Sequence, residues 1–168
     1  MPDTKPLFHE KAVAKIQDML GNDNIVMFCC NLDAQPFAAT PMSTQKVEDD
    51  GTIWFFSTRD SERNRHLSRS PRAQVLFGDS GQYDYISLYG RAEVIVDAAR
   101  AEELWTPFVK VWFPEGPSDP DLTLIRFRPE EGFYWDTQHN KMIAFAKMVA
   151  STLVGKTMDD SVEGRLEL

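Results

Sequence analysis

The fold of this chain is decided by the stretch from Thr52 to Asp79, TIWFFSTRDSERNRHLSRSPRAQVLFGD. Its apolar run from Ile53 to Phe56 is rich in β-branched and aromatic residues, which predicts a buried strand. Ser61 then predicts the N-cap of a helix of about two turns, which the pair Ser70-Pro71 ends. A second strand follows from Ala73 to Phe77. The stretch therefore predicts a strand–helix–strand unit in which polar side chains separate two apolar segments.

The connection between these strands is basic, although the chain as a whole carries a formal charge of -8. It holds five arginines against two acidic residues, the arginines being Arg59, Arg63, Arg65, Arg69 and Arg72. Free backbone N–H groups at a helix start, together with a guanidinium group, favour an anion such as phosphate. The alternative is a solvated amphipathic helix whose arginines form its wet face. Spacing alone leaves both interpretations open.

The segment WFFSTRDSERNRHLSRSPRAQVLF resembles the FMN-binding stretch of the pyridoxamine 5'-phosphate oxidase-like split barrels. The matching motifs are Phe55-Phe56-Ser57, Ser61-Glu62-Arg63, Ser70-Pro71-Arg72 and the strand from Ala73 to Phe77. The resemblance implies that Arg63 is the cation that binds the FMN phosphate, with Ser61 and Thr58 as its hydroxyl partners. Glu62 stands where the oxidases proper carry a second basic residue, so a weaker phosphate site is expected.

Two further stretches extend the resemblance toward the general stress protein branch of that family. Thr40-Pro41-Met42 lies where related proteins carry Arg-Pro-Met beside the isoalloxazine ring, and Thr40 replaces the arginine. The second is the pairing of VWFPEG, with Trp112, and the later GFYWD, with Trp135, where exposed aromatic rings are suited to stacking on a flavin or a planar substrate. The flavin-binding residues implied by the resemblance are Thr40, Pro41, Met42, Phe56, Ser57, Thr58, Ser61, Arg63, Trp112 and Trp135.

The rest of the chain predicts one mainly β domain with flanking helices (α+β), consistent with an FMN-binding split β-barrel. We expect a single domain over residues 1–168. The first half of this domain is predicted to contain a helix at 9–20 and strands at 25–31 and 37–43. After the central stretch we expect a strand at 85–96 with a bulge at Gly90, a helix at 98–113, and strands at 123–128 and 132–136 around a turn at Pro129. A helix at 140–154 and a polar tail are predicted to follow. The barrel itself is expected to span residues 25–136.

Composition narrows the function classes. No apolar run approaches the roughly 20 residues of a membrane span, and no signal-peptide pattern opens the chain. A sequence pI near 4.9 argues against a nucleic-acid or membrane-surface binder. Cys29 and Cys30 are neighbours in an apolar strand, which favours buried thiols in a reducing, cytoplasmic setting over a disulfide or a metal site.

The resemblance implies an FMN-binding flavoprotein of the general stress protein type, with FAD as a second candidate cofactor. It also implies a homodimer whose flavin lies at the subunit interface. One hypothesis is a flavin-dependent oxidoreductase that reduces a small molecule with a reduced nicotinamide as donor. The alternatives are a protein that binds or senses flavin without turnover, and a split barrel that binds haem or a deazaflavin. No residue pattern identifies a catalytic residue or a metal site.

We predict that the protein does not usefully oxidise pyridoxamine or pyridoxine phosphate. True oxidases of the resembling family close with an Arg-containing segment that includes Arg-Leu-x-Pro, which helps to hold the substrate phosphate and the flavin. Residues 163–168 of this chain read EGRLEL, without that proline and without a preceding tryptophan. Steady turnover of pyridoxamine phosphate at about 1 per second or faster, a typical enzyme rate, would contradict this prediction.

Overall fold

A computed structural model describes residues 3–21, 23–137 and 161–168. In these residues ten strands run in chain order as β1 to β10: Asp3–Thr4, Leu7–Phe8, Ile25–Cys30, Ala38–Ser43, Lys46–Val47, Ile53–Thr58, Arg72–Asp79, Asp84–Ile95, Leu122–Thr137 and Ser161–Glu167. The helices are α1 (Glu10–Leu20), α2 (Glu62–Arg69), α3 (Ala98–Leu104) and a 3-10 helix (Pro107–Val111). The expected mainly β architecture with flanking helices is confirmed.

The strands form a mixed sheet in the order β1-β10-β9-β8-β7-β3-β4, with β6 attached to β9 and β5 attached to β6. Strand β9 organises this sheet because it is hydrogen-bonded on both edges. One edge pairs with β8 from Leu124 to Trp135, while the other edge is shared by β6, opposite Leu122–Phe127, and β10, opposite Glu131–Thr137. The strand that precedes α2 is therefore held by the longest strand of the described chain.

The predicted turn at Pro129 is wrong, since β9 continues through this residue without interruption. Pro129 lies in the short gap between the end of the β6 pairing at Phe127 and the start of the β10 pairing at Glu131. A proline lacks the N–H that a central strand must donate, and at this gap no ladder hydrogen bond is required on that edge. On the other edge, the register between β8 and β9 shifts between Tyr89 and Gly90. This shift is the bulge predicted at Gly90.

The predicted polar tail is also wrong over its last part, because Ser161–Glu167 forms strand β10. This strand pairs antiparallel with β9 and parallel with β1 and β2 near the other end of the chain. Leu166 is fully buried in the core, so the alternating pattern of LEL outweighs the polar composition. The predicted helix at 140–154 lies outside the described residues.

The predicted helix at 98–113 is interrupted. Helix α3 ends at Leu104, and the chain resumes as a 3-10 helix only at Pro107. Thr106, the residue before the proline, has an extended backbone with φ -125° and ψ 154°. A proline disfavours helical geometry in the residue that precedes it, which accounts for the break. After the break, Phe108 in the 3-10 helix and Trp112 directly after it are exposed at the surface.

Two apolar clusters stabilise the fold. The larger lies between the sheet and helices α1 and α2, and edge-to-face contacts of Phe28 with Phe55 and Phe127 run through it. The smaller packs α3 and the 3-10 helix against β6 and β9 around Trp54, Leu104 and Phe113. Cys29 and Cys30 are both buried free thiols, as predicted, and burial raises the pKa of each.

Helices of the described segments are all too short or too polar to cross a bilayer.

Candidate functional site

The candidate site is built where β6 ends and α2 begins. Ser61 is the N-cap of α2, as predicted, and its Oγ accepts a hydrogen bond from the backbone N–H of Asn64 at 3.1 Å. The first N–H groups of a helix have no acceptor within the helix, so those of Glu62 and Arg63 remain available to an anion. The turn Thr58–Ser61 thus leads into a helix capped by Ser61, as the sequence predicts.

Asn64 joins this helix start to two strands. Its Nδ2 donates to the carbonyl of Thr58 at 3.0 Å and to Thr123 Oγ1 on β9 at 2.9 Å. Its Oδ1 accepts from Ser57 Oγ at 2.7 Å, and Thr123 Oγ1 in turn donates to the Ser57 carbonyl at 2.8 Å. Ser57, Asn64 and Thr123 are all buried, so each of their hydrogen bonds is made in a dry setting. This network fixes the position of α2 on the sheet.

Arg63 leaves this network with its charge unneutralised. Its Nη2 donates to Ser57 Oγ at 2.8 Å, while its Nε is buried and finds no hydrogen-bond partner among the described residues. Burial lowers the pKa of the guanidinium because removal from water disfavours the charged form, and among the described residues no carboxylate forms an ion pair with it. An arginine remains protonated in proteins. The fold therefore holds a positive charge here although the guanidinium loses part of its hydration.

Arg63 borders a cavity of about 430 Å³. Near Arg63 the lining is polar, through Ser57 and Thr58, and Ser43 and Gln45 supply polar groups from the segment that connects β4 to β5. The remaining wall is apolar and consists of Ile25, Pro41, Met42, Phe56, Phe108, Val109, Trp112 and Phe113. A mainly apolar cavity of this size with a few fixed polar groups is suited to a small planar ligand that carries an anionic end.

The aromatic wall is presented by the 3-10 helix. Phe108 and Trp112 are each 59% exposed, and their rings meet edge to face with centroids 5.1 Å apart. Behind them, Phe113 packs in the smaller core beside Phe56, at a centroid distance of 6.3 Å. Exposed large aromatic side chains beside an apolar cavity are characteristic of a surface that a ligand or a partner covers.

An ion-pair cluster ties this wall to the sheet. Arg100 on α3 contacts Glu48, lies 2.6 Å from Glu103 and stands over the Trp54 ring at 4.7 Å from its centroid. Lys46 on β5 pairs with Glu103 at 3.1 Å and with Glu48 at 3.3 Å. Several charges that share partners hold a geometry better than one exposed pair does. The helix that precedes the aromatic wall is therefore fixed to the strand that leads into the site.

The structure brings together most of the residues that the sequence nominates. Six of them line the cavity with Arg63: Pro41, Met42, Phe56, Ser57, Thr58 and Trp112. Ser61 stands behind the lining, 3.3 Å from Ser57 Oγ. Thr40 is paired with Phe28 on β3, and Trp135 lies on β9 against Phe133 at a centroid distance of 4.7 Å; neither lines the cavity.

Sequence reasoning missed several lining residues: Ile25, Ser43, Gln45, Phe108, Val109 and Phe113. It also missed Asn64 as the centre of the hydrogen-bond network. Ser43 and Gln45 lie one and three residues after the Thr40-Pro41-Met42 motif, which was an available signal. For Phe108 no such signal existed, because its exposure follows from the break at Pro107.

One face of the sheet is apolar and exposed beside this cavity. Antiparallel partners directly opposite each other lie on the same face. The register therefore sets Pro41, Met27 and Leu76 in one row across β4, β3 and β7, and a second row joins Tyr85 on β8 to Trp135 on β9. Met27, Leu76, Tyr85 and Trp135 are each 38–40% exposed. Pro41 belongs to both this outward face and the cavity wall, so the two are continuous.

No group of three or more His, Cys, Asp or Glu side chains in the described parts of the chain is arranged to hold a metal ion.

Comparison with known proteins identifies relatives of this architecture. Residues 11–159 match the family model described as pyridoxamine 5'-phosphate oxidase like. No curated protein sequence matches the chain. Among solved structures, one described as a general stress protein 26 from Jannaschia sp. CCS1 superposes with a TM-score of 0.78 at 24% identity, covering 92% of this chain and 97% of that one. The predicted split-barrel fold is thereby confirmed.

A second solved structure is closer in sequence. The general stress FMN/FAD binding protein from the phytopathogen Xanthomonas citri is 27% identical, with a TM-score of 0.64, and the match covers 79% of this chain and 90% of that chain. General stress protein 26 from Bacillus anthracis str. Sterne matches with a TM-score of 0.63 at 22% identity, over 73% of this chain and 92% of its own.

We predict that Asn64→Ala lowers the free energy of unfolding by roughly 3 kcal/mol, because Ser57, Thr123 and the Thr58 carbonyl lose buried hydrogen-bond partners at about 1–3 kcal/mol each when left unsatisfied. Urea denaturation measures this loss. The control is Ser68→Ala on the exposed side of the same helix, where Oγ donates only to the Arg65 carbonyl; we expect a change within about 0.5 kcal/mol. Equal losses in the two variants would show that the network does not hold α2.

Proposed function

Because the chain belongs to the pyridoxamine 5'-phosphate oxidase-like family, we propose that it is an FMN-binding flavoprotein of the general stress protein type. The proposal places the FMN phosphate at the start of α2 and the ring system in the apolar part of the cavity. FAD is the second candidate, since the Xanthomonas citri relative is described as an FMN/FAD binding protein. The reducing, cytoplasmic setting indicated by the free thiols is part of the same proposal.

The single observation that carries the proposal is the partly buried charge of Arg63, which has no ion-pair partner among the described residues. Removing an ion from water is costly unless a counter-charge compensates it, so a partly buried cation without a carboxylate partner favours an anionic ligand. A phosphate is suited to this position because it can accept hydrogen bonds from the guanidinium, from the Ser61 and Thr58 hydroxyls and from the N–H groups at the helix start. Glu62 is exposed on the same helix turn and would weaken the site without blocking it.

The apolar walls fit the ring system. Pro41, Met42, Phe56, Phe108 and Trp112 supply apolar lining against which a flat heterocycle can pack. A bound flavin supplies the hydride and one-electron chemistry, while the protein binds and orients it. The aromatic wall would exclude water from one side of the ring. Thr40 does not line the cavity, so in this proposal it does not make the ring contact that an arginine makes in related proteins.

An oxidoreductase that reduces a small molecule, with a reduced nicotinamide as electron donor, is the activity that we propose. No described side chain is placed for proton transfer in the cavity, where Arg63 is the titratable group and stays protonated. The second candidate is a protein that binds or senses flavin without turnover. Flavin reduction by NADH or NADPH, followed by reoxidation with an added acceptor, separates these two candidates. A preparation that releases haem or deazaflavin on heating would contradict both.

We further propose a homodimer in which the outward sheet face forms the interface. This face exposes Met27, Leu76, Tyr85 and Trp135 in adjoining rows, and a contiguous exposed apolar patch is typical of an interaction surface. Because Pro41 belongs to the face and to the cavity wall, a second copy would cover the cavity mouth. In this proposal the second copy brings its own Trp135 to the ring. This arrangement explains why Trp135, a binding residue implied by the family resemblance, lies away from the cavity of its own chain.

We predict that Arg63→Glu weakens FMN binding by about tenfold to a hundredfold or more. Loss of a hydrogen bond to a charged group costs roughly 1.5–3 kcal/mol, each 1.4 kcal/mol is about a factor of ten in affinity, and the new carboxylate repels the phosphate. Riboflavin lacks the phosphate and should bind almost equally well to the variant. Fluorescence titration of both ligands measures the two affinities.

The matched control for this experiment is Arg69→Glu. Arg69 lies exposed in the last turn of the same helix, so the net charge change is identical while the distance to the helix start is larger. We expect FMN affinity to change little in this variant. If FMN affinity survives Arg63→Glu, or if riboflavin affinity falls by the same factor, the start of α2 is not a phosphate site.

We predict that Leu76→Glu converts a dimer into a monomer and weakens flavin binding, because it places a charge in the centre of the outward face. Light scattering measures the mass of the wild-type protein and the variant. Val96→Glu is the control, since Val96 is 67% exposed and lies beyond the end of β8. A wild-type monomer that still binds flavin at working concentration would refute the interface site.

A further inference from the structure

The cavity wall holds a second unpartnered polar atom, on Gln45. The Nε2 group of Gln45 donates to the carbonyl of Ser43 at 3.1 Å, while its Oε1 is buried without a hydrogen-bond partner in the described chain. This bond sets the orientation of the amide, because the reverse orientation would bring two carbonyl oxygens together. The atom left over is therefore an acceptor, and its missing partner must be a donor.

This acceptor is separated from the charge of Arg63 along strand β6. The backbone N–H of Gln45 donates to the carbonyl of Trp54 at 2.8 Å, three residues before Ser57 on that strand. Three residues of a strand span about 10 Å. Since Ser57 carries the Arg63 hydrogen bond, the cavity lining holds a cationic group and an acceptor whose anchoring points on β6 are three residues apart.

These two groups define the chemistry of the occupant. An acceptor left without a donor in a buried position costs about as much as a lost hydrogen bond, so a ligand that supplies a donor there is favoured. A second anionic group is disfavoured there, because the Gln45 oxygen would repel it. The fitting ligand has an anion at one end and, at the other, a flat ring with an N–H donor on its edge.

We propose that Gln45 is a specificity-determining residue that accepts a hydrogen bond from the imide N–H, at N3, of an isoalloxazine ring. This inference rests on the proposed flavin-binding function. It adds that the cavity distinguishes flavins from planar cofactors without an edge N–H donor, such as haem. Deazaflavins keep the imide group and satisfy Gln45 equally well, so this residue does not discriminate against them.

The test uses FMN and its N3-methyl derivative, which has the same phosphate and ring but no imide proton. For the wild-type protein we expect N3-methyl-FMN to bind about tenfold more weakly than FMN, the effect of one lost hydrogen bond that leaves its acceptor unsatisfied. In Gln45→Met, a substitution of similar length without an acceptor, FMN should weaken about tenfold and the ratio of the two affinities should fall toward one. Gln82→Met, in an exposed turn, should keep the wild-type ratio.

The outcomes separate this inference from the proposal on which it rests. Equal affinity of the wild-type protein for the two ligands overturns the role of Gln45 and leaves flavin binding intact. A ratio that persists in Gln45→Met also overturns it, because the methyl group would then act through steric exclusion alone. Failure of the wild-type protein to bind either ligand overturns both. If Gln45→Met does not fold, the ratio of the two affinities is measured in Gln45→Leu instead and compared with the wild-type ratio, with the same outcomes deciding the role of Gln45.

Discussion

The site depends on the amide of Asn64, which joins helix α2 to strands β6 and β9 through buried hydrogen bonds. A primary amide suits this position because it offers two donors and an acceptor in one plane without charge. An aspartate would lack the donors that Thr58 and Thr123 accept, and an apolar residue would leave three groups unsatisfied. The helix start is thus fixed before any ligand arrives, so that binding does not need to order it.

That fixed helix start explains how an acidic protein can hold an unneutralised cation. Chain-wide charge acts over long distances and is screened by salt, whereas Arg63 is governed by its immediate surroundings. Glu48 and Glu103 pair with Arg100 and Lys46 in the cluster that supports the aromatic wall. Two acidic residues of this acidic chain therefore support the scaffold, while Arg63 has no ion-pair partner among the described residues.

Local sequence signals predicted the centre of the fold well and its periphery less well. The Ser61 cap, the stop at Ser70-Pro71 and the Gly90 bulge follow from side-chain chemistry within a few residues, and each is present. Pro129 was misjudged because its tolerance depends on which strands lie beside β9, a long-range fact. Of the site, Arg63 and its hydroxyl neighbours were predictable from motif resemblance. Asn64 and Gln45 were not, because their importance lies in partners brought near by pairing of distant strands.

The pairing of β10 with β1 and β2 has a consequence for how the chain is made. Residues 161–167 leave the ribosome after every other described strand, yet they complete one edge of β9 and join segments from both ends of the sequence. Until then the outer half of β9 exposes an open edge, the kind of surface on which other extended chains add. Closure across such a sequence distance is slow. Newly synthesised copies are therefore most vulnerable to aggregation in the interval between completing β9 and releasing β10, when chaperone protection matters most.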